Sequence, residues 1–261
     1  MKTKEQFIQA NGHRINTQLI GDIDVAKPTL VFLHGGLDCI KMWREFPQQL
    51  CEKVGLAGIV DERWGHGKSD ILELPREGDA RLVEADQPLV DIFQHFGVGK
   101  VILVGHSFGG GIALIASGLH QDTVCGTIAI APQLISAGDT NKGLDKAIEA
   151  FHSGKLRDKL IPFHGDNTDI LFRGWSTPSS TLGDVKIDYS PNVRQIKCPV
   201  LDIYGTADNY GYLHNLNLIQ DCLTSPHENL EIEGGTHYPH LDTPEPVLQA
   251  ADQFIQNLGI K

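Results

Sequence analysis

Short apolar runs recur along the chain, each followed by a stretch with helical spacing. Thr29-Leu30-Val31-Phe32-Leu33, Leu56 to Val60, Val101 to Val104, Thr127 to Ala131, Val200 to Tyr204 and Leu230 to Ile232 are brief and rich in β-branched residues. Runs of this kind fit strands covered on both faces. Between them, helices are predicted over Glu45 to Val54, over 80 to 96 and near Tyr212 to Cys222. In the second of these, Leu82, Val83, Leu89, Val90, Phe93 and Phe96 share helical spacing, and Pro88 is expected to kink or divide it. A closing helix begins at Thr243-Pro244, with Val247, Leu248, Ala251, Phe254, Ile255 and Leu258 on one stripe. At the start, Phe7 to Ile20 reads as two extended stretches split by Asn11-Gly12, a type I′ hairpin signal.

Strands alternating with helices predict an α/β protein with a mostly parallel central sheet. The alternation lapses between Pro132 and about Gln195, where helical patches occur (Leu144 to Phe151, Asp169 to Trp175) without a buried strand. That stretch is expected to lie over the carboxyl ends of the strands, where such sheets bind ligands.

One strand-to-helix passage carries unusual chemistry. Gly105-His106-Ser107-Phe108-Gly109-Gly110 follows the run at 101 to 104 and precedes the small apolar stretch from Gly111 to Ala116. A sharp turn from strand into helix strains its central residue and requires tiny neighbours two positions away on either side, which Gly105 and Gly109 supply. Ser107 is therefore a candidate nucleophile, although a glycine-rich phosphate loop would look similar. A serine hydroxyl needs a general base. Two later strand ends offer partners in the order serine, acid, histidine: Asp208 after Tyr204, and His237 in Gly234-Gly235-Thr236-His237-Tyr238-Pro239-His240. Asp202 and Asp221 fall inside a strand and a helix, so Asp208 is the better placed acid. His237, at the loop apex, is preferred over His240, which fits a packed structural role. His34-Gly35-Gly36 follows the strand ending at Leu33, where an oxyanion donor is expected, with the Phe108 N–H as the second. The remaining histidines show no metal-ligand spacing and read as surface or capping groups.

Bulk properties narrow the class further. The chain has 261 residues, 41% hydrophobic and 21% charged, with a formal net charge of −11. That surplus of acid disfavours nucleic acid or an anionic membrane as a partner for the whole surface. Five scattered cysteines without a C-x-x-C pair read as reduced, mostly buried thiols. No signal-peptide core and no run of membrane-span length is present, so a cytoplasmic protein without membrane insertion is the expectation.

His34-Gly35-Gly36, Gly65-His66-Gly67-Lys68-Ser69-Asp70, Gly105 to Gly110, Gly205 to Asp208 and His237 to Glu245 together resemble the α/β-hydrolase superfamily. The resemblance implies the α/β-hydrolase fold, a core of residues 1–132 and 196–261, and a helical cap over 133–195. It also implies a Ser107-Asp208-His237 triad and an oxyanion hole from Gly36 and Phe108. One departure is Trp64, which stands before Gly65 where most relatives carry arginine; Arg63 comes one position earlier. Phe163, Phe172 and Trp175 in the cap, and Trp43 or Trp64 nearer the core, are candidates for a substrate wall. The expected activity is hydrolysis of a small-molecule carboxylic ester through an acyl-enzyme, a reaction that needs no metal or organic cofactor. Thioester or carbon–carbon bond hydrolysis, cofactor-free oxygenation and a non-catalytic ligand receptor are the alternatives on the same fold.

Overall fold

The computed structural model describes residues 1–75, 79–134, 139–177 and 188–259. Eight strands form a single sheet in the order β1-β2-β4-β3-β5-β6-β7-β8. They are β1 (Thr3–Ala10), β2 (His13–Ile20), β3 (Thr29–Leu33), β4 (Gly58–Glu62), β5 (Val101–His106), β6 (Val124–Ile130), β7 (Val200–Gly205) and β8 (His227–Ile232). β1 and β2 form an antiparallel hairpin and β2 pairs antiparallel with β4, while every other pairing is parallel. The hairpin turns on Asn11 (φ 47°) and Gly12 (φ 80°), the pair of positive φ values that a type I′ turn requires.

All residues of β3, β4, β5 and β7 are buried, because helices cover both faces. On one face α1 (Phe46–Val54) and the closing helix α10 (Pro244–Asn257) place Phe46, Leu50, Val247, Ala251 and Phe254 against Phe32, Val104 and Ile203. On the other, α3 (Gln87–Phe96), α4 (Phe108–Leu119) and α9 (Tyr212–Cys222) bury Ile92, Phe93, Ile112, Ile115 and Ile219 against Val31, Leu103 and Val200. The predicted helix over 80 to 96 is divided, as Pro88 suggests. A short α2 (Ala80–Glu84) is capped by the Asp79 carboxylate, and Pro88 falls in the first turn of α3.

Several boundaries differ from the sequence reading, among them β4, which runs from Gly58 to Glu62 rather than from Leu56 to Val60. Helix α4 begins at Phe108, two residues before Gly110, so the glycines lie inside its first turn. β6 begins at Val124 and β8 at His227, each a few residues earlier than predicted. β8 is an edge strand with no fully buried residue, which hides its first half from a search for buried apolar runs.

Between β6 and β7 the described chain forms α5 (Asp139–His152), α6 (Arg157–His164), α7 (Thr168–Ser176) and the single turn α8 (Ser190–Val193). Phe151, Leu160 and Phe172 make a separate small core, with Leu37 of the loop after β3 packed on it. Val193 and Tyr189 instead join the main core, and the Asn192 carbonyl lies against Gly118 of α4.

Strand β4 ends in two buried acids with different fates. The Glu62 carboxylate accepts from Asn16 Nδ2 and from the Ile40 and Lys68 N–H groups. Asp61 is only 3% exposed, and its Oδ1 has no hydrogen-bond partner among the described residues. Burial pushes the Asp61 carboxyl up to about 7, so the folded protein holds a proton that the unfolded chain releases near ~3.9. Stability should fall as pH rises through that window. Asp61→Asn should therefore be more stable than wild type above pH 7, by as much as about 4 kcal/mol, with the gain vanishing below pH 4. Urea unfolding of both proteins at pH 4 and pH 8 checks this; an equal difference at the two pH values would refute it.

Candidate active site

β5 delivers Ser107 to the carboxyl edge of the sheet in a conformation that few residues adopt, φ 53° and ψ −114°. Such a conformation costs on the order of 1–3 kcal/mol and must be enforced by its surroundings. The Ser107 N–H donates to the Ile130 carbonyl at 2.8 Å, and its own carbonyl accepts from Gly111 and Gln133. The flanking glycines are required by close approach. A Cβ on Gly105 would lie 2.3 Å from the Gly109 carbonyl oxygen, and one on Gly109 would lie 2.0 Å from that of Leu33. The same contact seats the elbow against the end of β3, so Ser107 and the loop carrying Gly36 are neighbours.

The later loops meet Ser107 there. His237 Nε2 lies 2.8 Å from Ser107 Oγ, and His237 Nδ1 lies 2.7 Å from Asp208 Oδ2. A carboxylate only accepts, so Nδ1 carries the proton and Nε2 is left to accept from the serine hydroxyl. The second Asp208 oxygen accepts from the Tyr210 N–H at 2.8 Å, which fixes the carboxylate plane, and the Tyr210 ring lies 4.5 Å from the His237 ring. Desolvation lowers the basicity of His237, and the hydrogen bond it donates to Asp208 partly restores it, leaving it below an ordinary histidine. All three side chains are buried.

His240 is brought to neither Ser107 nor Asp208. Its ring packs 5.0 Å from Trp43 and 5.4 Å from Phe46, and burial drives its pKa well below that of a free histidine.

Arg63 orients the loop after β3. Its guanidinium donates to the His34 and Gly35 carbonyls, at 2.7 Å each. In a trans peptide the N–H points opposite to the C=O, so the Gly36 N–H faces away from Arg63. Neither the Gly36 nor the Phe108 N–H donates to an acceptor among the described residues. The Phe108 ring is anchored beneath Arg81, 4.1 Å from its guanidinium carbon. The offset of Arg63 from the usual family position thus leaves a cation holding this loop.

The cap candidates take different positions. The Trp175 indole lies directly on Gly36, where a Cβ would fall 2.3 Å from its Nε1. Phe172 is buried within the cap and stacked on Phe151 at 3.7 Å, and Phe163 is half-buried on α6. Trp43 lies in the main core, and Trp64 stacks on His13 of the hairpin at 3.8 Å.

Three histidines expected at the surface or at caps are interior instead. His66 Nε2 donates to the Gly36 carbonyl. His164 accepts from the Gly67 N–H at Nδ1 and donates to the Leu37 carbonyl from Nε2, linking the cap to two core loops. His106 is 1% exposed and faces Asp38 and His237. Their partners are remote in sequence, so only the residue pair -His-Ser- hinted that His106 would stand beside the candidate site.

A mostly parallel eight-stranded sheet with a serine, histidine and aspartate aligned on its carboxyl edge defines an α/β hydrolase. The chain belongs to that family: residues 28–162 match the family described as alpha/beta hydrolase fold. It is 26% identical over 259 residues to a putative chloroplastic methylesterase 11 of Arabidopsis thaliana, covering 89% of this chain and 65% of that protein. It is 28% identical over 113 residues to a proline iminopeptidase of Clostridioides difficile, covering 42% of this chain and 36% of that protein. The chain thus spans less than two thirds of the length of these curated relatives. Among solved structures, a bacterial membrane phospholipase A superposes with a TM-score of 0.78 at 18% identity, covering 98% of this chain and 86% of that one. No helix among the described residues is long and apolar enough to cross a membrane.

Proposed function

We propose that the protein is a serine hydrolase that cleaves a carboxylic ester of a small molecule through an acyl-enzyme. The continuous line of hydrogen bonds from Ser107 Oγ through the His237 ring to Asp208 supports this most directly. As Oγ attacks the ester carbonyl, its proton passes to His237 Nε2, and Asp208 stabilises the imidazolium. The carbonyl oxygen becomes an anion facing the Gly36 and Phe108 N–H groups, each worth about 3–4 kcal/mol in comparable sites. Collapse breaks the bond to the alcohol, which takes the proton back from Nε2. Water, deprotonated by the same nitrogen, then releases the acid and regenerates Ser107.

The putative methylesterase among the curated relatives supports an ester as the substrate class. Trp175, lying on Gly36, places an aromatic wall beside the scissile carbonyl. Incubation with a fluorophosphonate, followed by peptide mapping, tests the assignment. Stoichiometric modification of Ser107 with loss of p-nitrophenyl ester turnover is expected; modification elsewhere, or turnover that survives labelling of Ser107, would overturn it.

A further inference from the structure

The acyl-transfer scheme leaves one buried ionisable pair unused. His106 adjoins the nucleophile, and its Nε2 lies 2.9 Å from the main-chain carbonyl of His237. Its Nδ1 lies 3.2 Å from Asp38 Oδ2, and the same carboxylate oxygen accepts the Gly35 N–H at 3.1 Å. Both side chains are buried, and neither makes a hydrogen bond to Ser107 Oγ or to the His237 ring.

Granting the proposed acyl-transfer reading of the site, we propose that His106 and Asp38 are positioning residues that tie the base loop and the oxyanion loop to the nucleophile strand. Asp208 holds only the ring of His237, and a ring held at one nitrogen can still swing with its backbone. The hydrogen bond to the His237 carbonyl removes that freedom. It comes from the residue next to Ser107, so the distance between nucleophile and base is set twice by adjacent residues. Asp38 extends the arrangement to Gly35, whose peptide carries the Gly36 N–H.

A carbonyl and a carboxylate both accept, and only the imidazolium donates at both nitrogens. Burial alone would push the Asp38 carboxyl up, but its hydrogen bond to His106 and the charge there hold it below its ordinary value. His106 is faced by Asp38 from the β3 loop and by His237, Tyr238 and His240 from the loop after β8. The His237 ring is faced by Asp208 and Tyr210 from the β7 loop, by Tyr238, and by His106 at 5.2 Å between ring centres. The charge of His106 lowers the basicity of His237, while those of Asp208 and Asp38 raise it.

His106→Gln and Asp38→Asn test the pair, with p-nitrophenyl acetate turnover and fluorophosphonate labelling rates measured on the full chain from pH 5 to 9. A misplacement of about 1 Å can cost on the order of 100-fold in rate. Each variant is therefore expected to lose roughly 10- to 100-fold in kcat and in labelling rate, with KM within about twofold. In His106→Gln the acid limb of kcat/KM should also move to higher pH, because a cation beside His237 is gone while Asp38 remains. A pair that only supports the fold would lower Tm and leave that limb in place. Folded variants with wild-type kcat, or a His106→Gln profile with an unmoved acid limb, would overturn the proposal. If His106→Gln does not fold, Asp38→Asn decides through its kcat and KM. Wild-type protein that resists labelling at Ser107 would instead remove the acyl-transfer reading, and this proposal with it.

Discussion

Ser107→Ala is expected to lower kcat roughly 10⁴- to 10⁶-fold, with circular dichroism and Tm close to those of the wild type. The methyl group fits within the space of the hydroxymethyl it replaces, and the Ile130, Gly111 and Gln133 hydrogen bonds still enforce the backbone conformation. What disappears is the atom that bonds to the acyl carbon. His237→Ala should lose nearly as much, and the double variant little more than either, because the base has no proton to take once the hydroxyl is gone. Single-turnover measurements on the three variants check this. Losses that multiply in the double variant would mean that Ser107 and His237 act independently.

The second large effect separates the two histidines of one loop. The base works as the neutral ring, so kcat/KM should rise with pH as His237 loses its proton. Burial lowers that ionisation, so the midpoint should lie below the ~6.5 of a free histidine. His237→Ala removes the limb together with the activity. His240→Ala should keep the limb and lose stability, on the order of 2–5 kcal/mol, because its ring fills space between Trp43 and Phe46. A dead His240 variant beside an active His237 variant would transfer the role of base to His240.

The sequence made the candidate nucleophile Ser107 and its hydrogen-bonded partners legible because each depends on local constraints. Gly105 and Gly109 announce a backbone that crowds itself, and Asp208 and His237 follow recognisable strand ends. The apolar runs that became β3, β5 and β7 were equally plain. Less visible were features that depend on tertiary neighbours. β8 lies at a sheet edge with no fully buried residue, and the interior placement of His66, His106 and His164 rests on partners 30, 68 and 97 residues away. The role of Tyr210, whose N–H steadies Asp208, is a property of a turn that begins with an acid and has no side-chain signature of its own. Among the aromatic cap residues, spacing alone could not distinguish Trp175, which touches Gly36, from Phe172, which stacks on Phe151.

The cap leaves and re-enters the sheet between two strands that are already hydrogen-bonded neighbours, β6 and β7, with Ile130 opposite Ile203. The pairing of those strands fixes where the excursion starts and stops, whatever lies between. Closing a longer or shorter excursion across the same gap changes the chain entropy only logarithmically, about 0.6 kcal/mol per doubling of length. Such a segment can be lengthened, shortened or exchanged for a foreign one without shifting the register that aligns Ser107, Asp208 and His237. Its attachments to the core include the hydrogen bonds of His164 to the Gly67 and Leu37 backbone and of Asn167 to Leu72, and the packing of Tyr189 and Val193 in the main core, and a transplanted segment would have to replace them. The segment between β6 and β7 is therefore the place where new side chains could be grafted with the strand register left unchanged.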